Sequence, residues 1–297
     1  MNPQLIALIA VVAVVVALVL TRRLWAPGVG HALPSIWRIA KITVAEARRR
    51  RVLQAVLVLI VLILLSMMFF SYLSPNEQSR MLISSGLASI TVFGILLSIF
   101  VAAFLIPQEM ESRTVYAILA KPVRRFEFVL GKYVGAMIIL AVIVATMTIA
   151  LVGVLVGMDH VVKDLPDSAF NPNLEGVVYA AIMSYFAIGV LTSLIIFIST
   201  ISSTTMTVIC AFIIWAVGSL QSQLHDLFEN ANNVFTKALL KVIYTVLPKL
   251  EHFDFRNAVA NFQPIDYVTG LGVAGYGVGY VLVVLILASI FFNDRQM

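Results

Sequence analysis

Charge is what this sequence has least of. Only 12% of its 297 residues are Asp, Glu, Lys or Arg, against 61% hydrophobic, and the mean hydropathy is +1.01. That composition excludes a water-soluble domain, in which about a quarter of the residues would be charged. A single cysteine, Cys210, excludes an intrachain disulfide and leaves the redox compartment unread. The four histidines, His31, His160, His225 and His252, show no i, i+4 pair and no HExxH, so neither a metal site nor a catalytic residue is readable in the sequence. Only His225 with Asp226, or Glu251 with His252, leaves a site assembled by folding open. A nucleotide-binding P-loop is missing too. The nearest fragment, Gly131-Lys132-Tyr133, lacks the earlier glycine and the hydroxyl residue that would hold magnesium.

What is present is hydrocarbon in long runs. Crossing a hydrocarbon core of about 30 Å takes about 20 apolar residues. Six stretches qualify: Val52 to Leu73, Met81 to Ile106, Tyr133 to Gly157, Val177 to Ser199, Thr205 to Leu220 and Tyr267 to Phe292. They are apolar on every face, which fits spanning helices and not the alternating strands of a barrel. A shorter run, Leu5 to Leu20, is followed by Arg22, Arg23, Pro27 and Gly28, the reverse of a secretory signal's flanks. We therefore expect it to be a retained amino-terminal helix, with residues 1–32 as helix and linker. Placing its arginines in the cytoplasm puts residues 21–51, 107–132, 200–204 and 293–297 inside, with fourteen of the twenty lysines and arginines. The positive-inside rule supports that orientation, and the net charge of +5 is explained by topology without a nucleic-acid partner.

Four features stand out against this frame. The first, residues 33–51, reads as an interfacial helix along the inner leaflet. Ile36, Trp37, Ile39, Ala40, Val44 and Ala47 make an apolar stripe, with Arg38, Lys41, Glu46 and Arg48 elsewhere around the axis and the four arginines Arg48, Arg49, Arg50 and Arg51 at phosphate level. The second, Gln108 to Lys132, is a basic interlude split by Pro122, with a short apolar face at Val115, Ile118 and Leu119 and a new helix starting near Phe126. At about 25 residues it exceeds what a connection between neighbouring helices needs, which fits a docking surface, with a solvated positive-inside loop as the equal alternative.

The third feature is an absence: no ionisable residue lies well inside the six runs, so proton relays and voltage sensors lack their parts and no deep charged pocket is visible. Gly153 with Gly157 and Gly275 with Gly279 have the spacing of close helix contacts, expected mainly within the chain. The fourth is the segment 221–264, where Leu239, Leu240, Ile243, Leu247 and Leu250 form an apolar face interrupted by Pro248. The stretch Met158 to Glu175 is an acidic, proline-containing loop.

Three blocks, "SIWRIAKITVAEARRRRV", "IPQEMESRTVYAILAKPVRRFEFVLGKYVG" and "LPKLEHFDFRNAV", resemble the membrane subunits of type-2 ABC exporters, especially the branch that includes the nitrous oxide reductase maturation permease. The resemblance implies an all-α, polytopic fold of six spanning helices over 33–297, to which Leu5 to Leu20 adds an extra one. It implies a coupling helix in 107–132 that seats in a groove of the ATPase, carried by Glu109, Glu111, Arg113, Tyr116, Lys121, Pro122 and Arg125. It also implies an outer lid in 221–264, with Leu247, Pro248, Leu250 and Phe253, a structural cap on the dimer being the equal alternative for this segment. The expected partners are a separate ABC ATP-binding subunit in two copies, a second copy of this chain, and membrane lipids. ATP and magnesium would sit on the ATPase and no cofactor on this chain. The setting would be a bacterial plasma or inner membrane. A scaffold that moves an outer partner without translocating anything stays open as the alternative.

Overall fold

The computed structural model describes residues 29–49, 78–105, 125–162, 173–220, 247–264 and 266–294. The helices are α1 (Val29–Arg49), α2 (Gln78–Leu105), α3 (Arg125–Val162), α4 (Leu174–Ile201), α5 (Thr204–Ser219), α6 (Arg256–Ala260) and α7 (Tyr267–Asp294), with a 3-10 turn at Leu250–Phe253 before α6. No strand occurs among the described residues. Leu5 to Leu20, Val52 to Leu73 and the stretch from Gln108 to Arg124 lie outside them.

Four of these helices are long and apolar enough to cross a membrane: Arg80–Leu105, Phe126–Gly157, Leu174–Ile201 and Tyr267–Phe292. Each reproduces an apolar run to within a few residues, except that α3 starts eight residues before Tyr133. The reason is physical: helix formation needs only backbone bonds, so charged Arg125, Glu127 and Lys132 do not delay it. Helix α5 is different. Its 16 residues reach about 24 Å at 1.5 Å per residue, short of a full crossing.

The bundle is built around α4, whose apolar window is 67% buried, while that of α7 is only 28% buried. Small residues and hydroxyls let α4 approach its neighbours. The Ser98 and Thr192 hydroxyls meet at 3.0 Å with both side chains fully buried, and Thr91 meets Ser184 at 3.0 Å. These tie α2 to α4 inside the apolar core, where a polar group without a partner would be costly. Against α3, Gly189 does the same: a Cβ there would stand 2.9 Å from the Met137 methyl. The α4 amino end is capped by Asn173, whose Oδ1 accepts from the Gly176 N–H at 3.0 Å.

Among the described residues, three of the four glycines expected to pack within the chain do not. Among the described residues, no atom comes within 4 Å of a Cβ built at Gly153, Gly157 or Gly275. They lie on outward faces, and Gly279 alone is buried. A four-residue pair that does pack against one neighbouring helix is Gly131 with Gly135, which sequence spacing alone left unremarked.

Candidate functional site

At one end of the bundle, here the proximal end, α1 lies across the start of α3. A Cβ added at Gly131 would stand 2.7 Å from the Ile39 Cβ and 3.1 Å from the Ile36 carbonyl oxygen. One added at Gly135 would meet the Thr43 Cβ at 2.7 Å and the Ala40 carbonyl oxygen at 3.2 Å. Only glycine permits that approach, so the two helices cross nearly backbone to backbone. Ile39, Ala40, Thr43 and Ala47 are buried there, and the Thr43 hydroxyl donates back to the Ile39 carbonyl at 3.0 Å, which hides its polarity. The expected apolar stripe divides here. Its core faces α3, whereas Trp37 is 51% exposed and stacks under Lys41, whose Nζ is 5.5 Å from the ring centre. Arg38 turns back to the Pro34 carbonyl at 3.1 Å. Arg48 and Arg49 stand at the helix end; Arg50 and Arg51 lie outside the described residues.

The first turns of α3 carry two buried charged side chains, Glu127 and Lys132, which are 5% and 1% exposed. Lys132 Nζ lies 5.8 Å from the Phe128 ring centre, and Phe128 stacks on Phe292 of α7 at 5.7 Å. The helix emerging from the basic interlude is therefore joined at its root both to α1 and to the far end of α7. Of the residues assigned to ATPase docking, Arg125 stands at the first position of α3; Glu109, Glu111, Arg113, Tyr116, Lys121 and Pro122 lie outside the described residues.

At the opposite, distal end the chain turns back into the bundle. Pro248, Leu250 and Phe253 are buried and Leu247 is half-buried. Leu250 sits against Gly218 of α5, where a Cβ would be 3.0 Å from its Cδ1; Phe253 sits against Gly277 of α7 at 2.9 Å. Both join a small apolar cluster with Ala187 and Val190 of α4. The Lys249 N–H donates to the Tyr276 hydroxyl at 3.4 Å. Burial pushes the Asp254 carboxyl up, but bonds from the Arg256 side chain at 2.7 Å and backbone at 3.1 Å hold it below the usual carboxylate range. Among the described residues there is no cluster of three or more metal-ligating side chains.

A comparison with protein families matches residues 37–297 to the ABC-2 family transporter protein. The chain belongs to that family. No curated protein matches it. As a permease component of an ABC transporter, it is a multi-pass membrane protein, and permeases of this family work with an ABC ATP-binding subunit. The match takes in all but the first part of α1, and so all of the distal end and, at the proximal end, everything from Trp37 on.

Between the ends, the permease has an apolar groove of about 480 Å³ between Ala141–Val152 of α3 and Val178–Tyr185 of α4. Both polar side chains on its wall are internally satisfied: Thr148 donates to the Val144 carbonyl at 2.8 Å and Tyr185 to the Met137 carbonyl at 3.0 Å. The groove therefore presents hydrocarbon only. Sequence reading missed it because facing residues on two helices carry no linear signal.

Proposed function

We propose that this chain is the membrane half of an ATP-driven exporter. The interlude at 107–132 is its coupling element, with Glu109, Glu111, Arg113, Tyr116, Lys121, Pro122 and Arg125 meeting a separate ATP-binding subunit. Two such subunits, holding ATP and magnesium, serve two copies of this chain in a bacterial plasma membrane, and the proximal end faces the cytoplasm. Leu247, Pro248, Leu250 and Phe253 close the distal, outer end. The observation that carries this reading is the root of α3: the helix leaving the interlude is clasped by α1 at Gly131 and Gly135, so a push on the interlude moves a rigid pair of helices.

The test is copurification with the ATP-binding subunit. Glu111→Lys, or deletion of Val115 to Leu119, is expected to lose the ATPase at least about tenfold, by breaking charge-assisted and apolar contacts at one interface, while membrane insertion is unchanged. Retained copurification and ATPase activity in both variants would count against the assignment. Accumulation of a cargo in reconstituted vesicles separates an exporter from a scaffold.

A further inference from the structure

Three helices measure how deep the distal turn goes. Gly277, which Phe253 touches, is ten residues beyond Tyr267, about 15 Å along α7 at 1.5 Å per residue. Ala187, in the same cluster as Leu250, is thirteen residues from Leu174 and fourteen from Ile201, about 20 Å from either end of α4. Gly218, under Leu250, is fourteen residues beyond Thr204, about 21 Å up α5. These lengths agree. Helices α4 and α7 are each about 42 Å long and the hydrocarbon core is about 30 Å thick, so the turn sits near the middle of the membrane.

Leu250 and Phe253 plug that level, but Glu251 and His252 lie between them in the same turn, and both are exposed; Lys249 just before them is half-exposed. Backbone that is not α-helical is tolerated at such depth only when it is buried in protein or lines water. An exposed charged side chain facing lipid at mid-membrane costs about 3 kcal/mol or more. Lipid is therefore the wrong neighbour. The sequence contains no ionisable residue deep in its apolar runs; folding brings three to mid-depth from a segment outside them.

We propose that Lys249, Glu251 and His252 line a water-filled vestibule entering from the distal end and reaching the middle of the membrane, where they hydrogen-bond a polar or charged group of the cargo. The class of cargo is thus a hydrophilic molecule, or the hydrophilic part of one. This second clause rests on the exporter reading; the presence of water does not.

The test is thiol accessibility of the full chain in proteoliposomes, in a C210S background. E251C and H252C are compared with V278C, which is 49% exposed at the same depth on α7, and with F253C in the buried plug. A membrane-impermeant, positively charged methanethiosulfonate is the probe, since only a hydrated thiol ionises and reacts. Positions 251 and 252 are expected to react at least about tenfold faster than 278 and 253, the thiolate being suppressed in hydrocarbon. Rates at both positions no higher than at 278 would overturn the proposal, whether lipid or a second copy of the chain covers them. Two reporter positions guard against one variant misfolding, and monodisperse elution is required of each. Copurification of the ATPase with these variants reads the exporter assignment separately, so either idea can fail alone.

Discussion

Tyr179 shows how one atom restricts its neighbours. Among the described residues its hydroxyl has no hydrogen-bond partner, and it presses on Gly270 so closely that a Cβ there would lie 1.5 Å away. The ring is held edge-on by Phe255 and Tyr267, at 5.3 and 5.2 Å. Tyr179→Phe discards an unsatisfied polar atom and keeps the ring, so it should leave stability unchanged or raise it by up to about 1 kcal/mol. Gly270→Ala should cost about 1–3 kcal/mol through overpacking, and adding Tyr179→Phe should recover part of that loss. Thermal melts of the four proteins in one detergent would decide it; equal midpoints for Gly270→Ala and the parent would refute the contact. Phe262 is a second case. It closes α6 with its N–H on the Val259 carbonyl at 3.2 Å and that of Gln263 on Ala258 at 2.9 Å, a termination that wants glycine, yet its φ is 53°. Phe262→Gly should therefore stabilise by about 1 kcal/mol, read in the same melts. Neither contact was legible in the sequence, since each depends on where a helix ends or which side chain another helix presents.

Elements were legible where hydropathy defines them and obscure where it does not. Apolar runs located α2, α4 and α7 because lipid demands about 20 consecutive apolar residues whatever the packing. Hydropathy could not see α3 beginning at Arg125, and placing the boundary at Tyr133 cut between Gly131 and Gly135. A pair that packs was thereby hidden, while Gly153 and Gly157, which meet nothing within 4 Å among the described residues, had the right spacing. Spacing alone is common by chance; what distinguishes Gly131 and Gly135 is the helix opposite. Leucine at Gly135 should lift α1 off α3. Ala40, 0% exposed at that crossing, supplies the readout: in a C210S background A40C should resist thiol reagents and become reactive once G135L is added. Resistance in both would mean that the crossing tolerates bulk and that the close approach does not hold α1.

At the scale of the molecule, the contacts divide the bundle into parts with unequal ties. The pair α1 and α3 is locked by glycine at the proximal end, and α2 is bonded to α4 by Ser98–Thr192 and Thr91–Ser184. Between α3 and α4 the ties are one-sided. Tyr185 reaches the Met137 carbonyl at 3.0 Å and Tyr133 the Gly189 carbonyl at 3.4 Å, all in the proximal half of the contact, whereas the groove separates the helices from Ala141 toward the distal end. A push at the root of α3 would then turn it about the two tyrosines and widen the groove. Packed helices shift in this way by small sliding and rotation. Spin labels at I149C on α3 and I182C on α4, both on exposed faces, should therefore change separation by several ångströms between nucleotide-free and ATP-bound complexes, as expected of such shear motion. Labels at V92C on α2 and I182C should not, because the hydroxyl pairs hold those helices together. If both distances moved alike, α3 would not be the moving part and the tyrosines would not be a pivot. If neither moved, force from the ATPase would have to enter elsewhere than at the root of α3.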